Sequence, residues 1–288
     1  MAQITGDMTG IVAAERPRAG FTLLQYAICL RGIVWREGLR FLHQRERFVA
    51  ALVRPLVWLF IFATGFRQVL GVSIIPPYQT YVLYEVFVTP GLVGMVLLFN
   101  AMQSSLSMVC DRETGAMRTL LVSPFPRSFL LISKLLGGVA VALLQAYAFL
   151  LIAYFWEVEP PLIGYATVLP ALVLSGLMLG ALALLMSSVI KQLENFAGVM
   201  NFVIFPMFFA SSALYPLWRM KEGSLLLYQI STVNPFSQAV ELIRFALYGQ
   251  VDPFSLAATA GWTALFLAGA LFGYNPARGF VAATGKGE

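Results

Sequence analysis

Apolar positions along this chain gather into six long runs separated by shorter polar stretches. A membrane-spanning helix needs about 20 predominantly apolar residues. Six windows meet that length, near 48–68, 86–109, 135–156, 165–189, 196–214 and 255–274. The first window holds RPLVWLFIFATGF, so Arg54 and Pro55 lie inside an apolar run. An arginine near a helix end can snorkel to the interface, which keeps that window a span. The second window carries Asn100, Gln103, Ser104 and Ser105. It is too polar to face lipid all round and is expected to face other helices or a cavity. Gln145 and Asn201 add polar groups to the third and fifth windows. Asn100, Gln103, Ser104, Gln145 and Asn201 are thus candidates to line a path through the membrane. Interhelical hydrogen bonding is the alternative role for them.

Two segments outside the runs keep a pattern of their own. Over 21–47, Ile28, Trp35, Leu39 and Leu42 fall on one helical face, with Arg36, Arg40, His43 and Arg47 on the neighbouring one. This predicts an amphipathic helix lying along the cytoplasmic membrane surface, its arginines near anionic headgroups. The stretch after the fifth window, about 40 residues from Tyr215 onward, is rich in aromatics. Asn234 and Pro235 have the character of an N-cap and a first helical residue. Glu241 and Arg244 are three apart and can pair, and Gly249 is suited to end the helix. A short helix half-sunk in the outer interface is expected there.

Composition agrees with this pattern. Of 288 residues, 59% are hydrophobic and 11% charged, against about 25% charged in a soluble domain. So few charges cannot cover a water-soluble globule of this size; lipid has to cover much of it. The net charge of +5 comes from arginines clustered just before apolar runs. No separate basic face interleaved with aromatics exists, so nucleic acid is not an expected partner. Sorted by loop, fifteen Lys and Arg fall on one side of the membrane and four on the other. The positive-inside rule then puts both termini in the cytoplasm, consistent with an even number of spans. Cys29 and Cys110 have no metal-ligand spacing and are expected to be reduced thiols. The first twenty residues lack an apolar core of signal-peptide length, so no cleavable signal is expected.

Motifs for catalysis are missing. His43 is a single histidine on a basic face, and no HExxH or GxSxG occurs. The tail GFVAATGKGE has a glycine spacing one residue too long for a phosphate loop, and Gly287 stands where Ser or Thr is required. Intramembrane acids, the usual handles of ion coupling, are scarce: Glu85 and Glu157 fall at span ends, and Glu194 in a short loop. No metal and no directly bound cofactor are expected.

The most informative loop is CDRETGAMRTLLVSPFPRSFLLISK, between the second and third windows. It opens on Asp111, Arg112 and Glu113. Met117, Leu120 and Leu121 then lie on one face of a short helix, which Ser123, Pro124, Phe125, Pro126 and Arg127 break. An apolar knob with charged flanks suits docking into a groove on a partner; an ordinary re-entry turn is the alternative.

DRETGAMRTLLVSPFPRSFLLISKLLGG resembles the signature region of ABC-2-type permeases, the membrane subunits of ATP-driven exporters. That family includes permeases for polysaccharides, lipo-oligosaccharide nodulation signals and drugs such as daunorubicin. RPLVWLFIFATGF is similar to the family's first span, and FVIFPMFFASSALYPLW followed by NPFSQAVELIRFALYG to its fifth span and outer loop. The resemblance runs over about residues 20–275. It implies an all-α membrane protein of the ABC-2 (type V exporter-like) permease fold: six spans preceded by an interfacial helix. It implies a cytoplasmic tail over 1–20, the transmembrane domain over 21–275 and a second tail over 276–288. It further implies a permease dimer, homomeric or heteromeric, in the inner membrane, bound to two copies of a separate ATPase subunit that carries the ATP and magnesium. The loop bearing Asp111, Arg112, Glu113, Gly115, Arg118, Ser123 and Pro124 would dock that ATPase, and the segment around Asn234, Pro235, Glu241 and Arg244 would shape the external exit.

The expected function is therefore that of a permease subunit, itself not an enzyme, coupling ATP hydrolysis on a partner to export. An ion-coupled secondary transporter and a membrane assembly protein without transport are the alternatives.

Overall fold

The computed structural model describes residues 22–43, 45–66, 76–78, 82–113, 125–156, 158–190 and 193–273. Ten helices account for most of them. They are α1 (Leu23–His43), α2 (Arg45–Phe66), α3 (Tyr84–Glu113), α4 (Arg127–Tyr154), α5 (Gly164–Val189), α6 (Leu193–Phe209), α7 (Leu217–Gly223), α8 (Leu225–Val233), α9 (Pro235–Leu247) and α10 (Pro253–Gly273). The two expected tails, over 1–20 and 276–288, lie outside the described residues.

Among the described residues, four helices are long and apolar enough to cross a membrane: α3, α4, α5 and α10. The apolar part of α2 is shorter, Ala51–Ile61. Arg54 and Pro55 lie within it. α6 has 17 residues, about 25 Å at 1.5 Å per residue, against a hydrocarbon core of about 30 Å. The fifth window was expected to run to 214, but the helix ends at Phe209. Serine hydroxyls replace the helical ladder there. Ser211 Oγ donates to Phe208 O at 2.5 Å and accepts from Ala213 N at 3.2 Å, and Ser212 N donates to Ser237 Oγ at 3.2 Å. At its other end α6 starts at Leu193, so Glu194 falls in its first turn rather than in a loop.

α3 occupies the centre of the bundle. It packs against α2, α4, α5, α6 and α9, and Val88, Leu92, Val93, Leu98 and Met102 along it are fully buried. α5 forms the second layer, against α10, α9, α3 and α4. A tight crossing fixes where α3 meets the turn after α6. A Cβ on Gly91 would stand 2.7 Å from both Cβ and the carbonyl oxygen of Ala213. Since backbone blocks the way, Gly91→Val has to push the two segments apart. Overpacking of this kind costs about 1–3 kcal/mol. The variant is expected to melt several degrees below the parent in detergent, and an unchanged midpoint would show that the crossing yields freely.

α1 lies against α4 and α2. Near its start the Tyr26 ring meets Phe125 at 5.4 Å and Phe129 at 4.8 Å, which ties α1 to the residues that follow the 110–124 loop. Leu23, Leu24, Ile28 and Trp35 remain exposed, as do Arg31, Arg36 and Arg40. Arg36 and Arg40 lie beside that apolar strip, whereas Arg31, three residues after Ile28 and four before Trp35, falls within it.

The outer segment holds three helices rather than one. α7 and α8 are 7 and 9 residues long, too short to announce themselves by periodicity. Ser224 caps α8, accepting from Leu227 N at 3.4 Å. α9 is not half-sunk at a surface. Phe236, Ser237, Ala239, Val240, Ile243 and Leu247 are buried, because the helix is wedged between α3, α5 and α10. Gly249, at φ +68°, ends the α9 segment as its sequence position suggests.

Candidate functional site

A polar cleft opens between α1, α2, α3 and α4. It holds about 120 Å³ and is lined by Glu37 and Arg40 of α1, Arg54 of α2, Phe99, Asn100, Gln103, Ser104 and Ser107 of α3, and Lys134 and Gln145 of α4. Four of the five polar residues singled out in the sequence, Asn100, Gln103, Ser104 and Gln145, meet here. The fifth, Asn201, is exposed on α6 and does not line this cleft.

For the amides the structure shows the interhelical bond. Asn100 Nδ2 donates to Gln145 Oε1 at 2.7 Å, joining α3 to α4, and both residues still line the cleft. Arg54, exposed on α2, faces the cleft. Its guanidinium lies 3.9 Å from the centre of the Phe99 ring, a cation–π contact inside the cleft. Arg40 Nη1 approaches Ser107 Oγ at 3.5 Å and Glu37 Oε2 at 4.0 Å. Lys134 Nζ pairs with Asp111 Oδ2 at 2.9 Å, with the lysine side chain 8% exposed. Sequence reasoning missed Glu37, Arg40, Arg54 and Lys134 as cleft residues. The signal for Arg54 was visible, an arginine inside an apolar run, whereas the others depend on how α1 crosses α4.

The 110–127 loop is only partly described. Asp111 is placed by its pairing with Lys134, which ties the end of α3 to the start of α4. For Arg112, Glu113 and Arg127 only the helical backbone is described. Gly115, Met117, Arg118, Leu120, Leu121, Ser123 and Pro124 lie outside the described residues.

The residues around Asn234 and Arg244 form a closed network. Asn234 Oδ1 accepts from Phe236 N at 2.9 Å, and its Nδ2 donates to Met207 O at 2.8 Å and Ala210 O at 2.9 Å. One side chain thus caps α9, whose first residue is Pro235, and holds the end of α6 against it. Arg244, 3% exposed, pairs with Glu241, donates to Ser212 O at 2.8 Å and lies 4.2 Å from the centre of the Phe87 ring. Burial is the largest single influence and would lower the Arg244 pKa, but Glu241 and Tyr78 together, by charge and hydrogen bonding, hold the value above its ordinary one. Tyr78 and Tyr248 close the cluster with ring centres 4.9 Å apart, and burial pushes the Tyr248 phenol up to about 12.

Comparison with known proteins gives a consistent result. The family model for ABC-2 type transporters matches residues 29–248. The chain is 26% identical over 229 residues to a protein of Porphyra purpurea designated transport permease ycf38, covering 77% of this chain and 75% of that one. It is 30% identical over 164 residues to a protein of Escherichia coli strain K12 designated multidrug ABC transporter permease YbhR, covering 56% of this chain and 43% of that one. The family match begins within α1 and ends just past α9, taking in the cleft and the Arg244 network alike. The chain belongs to the ABC-2 type transporter family.

Proposed function

We propose that this chain is the membrane subunit of an ATP-driven exporter, a dimer of such subunits working with two copies of a separate cytoplasmic ATPase. The observation that carries this reading is the family match across 29–248, which spans every helix from α1 to α9. In this reading α2 and α6 join the four longer helices to give six spans, with both termini in the cytoplasm of an inner membrane. α1 lies on the cytoplasmic surface with Ile28 and Trp35 toward lipid. The 110–127 loop docks the ATPase, and the outer segment from α7 to α9 borders the exit. The designation of YbhR as a multidrug ABC transporter permease supports ATP-driven transport as the activity. No described cluster of intramembrane acids favours ion coupling.

The test is transport in inside-out vesicles carrying the chain together with its ATPase. ATP is expected to drive uptake, and a proton ionophore is expected to leave that uptake unchanged. Uptake that needs a proton gradient and ignores ATP would transfer the chain to the ion-coupled class.

A further inference from the structure

We propose that the cleft between α1, α2, α3 and α4 binds the anionic headgroup of an amphiphile, reached from the cytoplasmic half of the membrane. This deepens the permease reading and rests on the orientation given there.

The argument starts from Arg54. It stands nine residues after Arg45 along α2, about 14 Å along the helix axis, in an apolar stretch with Val53 and Val57 exposed beside it. The other cations of the cleft have carboxylates, Glu37 for Arg40 and Asp111 for Lys134. Among the described residues Arg54 has no carboxylate, only the Phe99 face, and an aromatic face leaves the charge in place. The cleft lining itself holds three cations and one acid.

The neighbouring groups have the right chemistry to complete an anion site. Gln103 is exposed in the cleft wall and makes no hydrogen bond among the described residues. Asn100 and Gln145 spend one bond on each other, which leaves the Gln145 amide nitrogen as a donor. A guanidinium fork beside amide donors recognises phosphate or carboxylate oxygens. The cleft holds about 120 Å³, room for such a headgroup, with the rest of the amphiphile left outside it.

The surroundings call for an apolar tail. Val53, Val57, Phe60 and Ile61 of α2 and Leu144 and Leu151 of α4 are exposed apolar side chains on the two helices that border the cleft. At the outer end Phe60 meets Trp156 at 5.8 Å, linking the two helices there. The charged rim, Glu37 and Arg40, lies on α1. A ligand therefore presents its charge from the cytoplasmic half, with its tail against α2 and α4.

The experiment uses the purified full chain in detergent, exposed to equal amounts of dioleoyl phosphatidic acid and dioleoyl phosphatidylcholine, with retained lipid read by native mass spectrometry. The parent is expected to retain phosphatidic acid about tenfold over phosphatidylcholine. Arg54→Gln should bring that ratio close to one, and Arg54→Lys should restore part of it. Arg219→Gln, on exposed α7, should leave it unchanged. Gln103→Leu alters an exposed side chain with no bond to lose, so folding is spared, and it should lower the ratio several-fold. Displacement of phosphatidic acid by millimolar inorganic phosphate would make a soluble phosphate ester the source of the headgroup; resistance to phosphate would make it a lipid. Equal retention of both lipids by the parent, or an undiminished preference in both Arg54→Gln and Gln103→Leu, overturns the proposal. None of these readouts involves an ATPase, so their failure leaves the exporter reading standing, and loss of ATP-driven transport leaves this site standing.

Discussion

Replacing Arg244 with methionine is expected to stop the chain from accumulating as a folded membrane protein. The guanidinium is shut inside the network around Asn234 and Arg244, and three groups depend on it. Glu241 would lose its counter-charge, Ser212 O its donor at 2.8 Å and Phe87 its cation at 4.2 Å. Removing one partner of a buried ion pair costs about 3–5 kcal/mol, mainly because the other charge stays behind without compensation. Removing both is far less costly, so Arg244→Met combined with Glu241→Leu should recover much of the loss. The measurement is the yield of monodisperse protein and its thermal midpoint in detergent. An Arg244→Met variant that purifies and melts like the parent would show that the network carries little of the fold's stability.

Changing Asp111, Arg112 and Glu113 together to alanine is expected to abolish co-purification of a soluble P-loop ATPase while membrane insertion survives. The pairing of Asp111 with Lys134 makes a control necessary, since the triple variant also removes an ion pair within the chain. Lys134→Met removes the same pair and leaves the three loop residues in place. If the loop docks the ATPase, Lys134→Met lowers thermal stability but keeps the ATPase bound, whereas the triple variant releases it by at least about tenfold, as loss of charge-assisted hydrogen bonds implies. Equal retention of the ATPase by the triple variant and the parent would end the docking assignment.

The elements that were legible in the sequence are those whose signal is local. Long apolar runs gave α3, α4, α5 and α10 within a few residues, except that α4 begins at Arg127, eight residues ahead of its expected start. That first stretch is amphipathic rather than apolar and packs against Tyr26. Asn234 and Pro235 announced the start of α9, and Glu241 with Arg244 their pairing, because caps and i,i+3 pairs are written in adjacent residues. What stayed hidden depends on long-range packing. The burial of α9 depends on α3, more than a hundred residues earlier in the chain, as well as on α5 and α10, and the cleft on the crossing of α1 over α4. Asn100 and Gln145 show the boundary clearly. Each was recognisable as polar within an apolar run, but the bond between them spans 45 residues.

The crossing of Gly91 on Ala213 gives α3 a fulcrum. Seven residues separate Gly91 from Tyr84, and twenty-two separate it from Glu113, arms of about 10 Å and 33 Å. Pro90, next to the pivot, removes one helical hydrogen bond there. The long arm ends at the loop beyond Glu113, and the short arm carries Phe87 beneath Arg244. Phe87 stands four residues from the pivot, about 6 Å, so a swing of the Glu113 end would reach the Arg244 network reduced to about a fifth and reversed in direction.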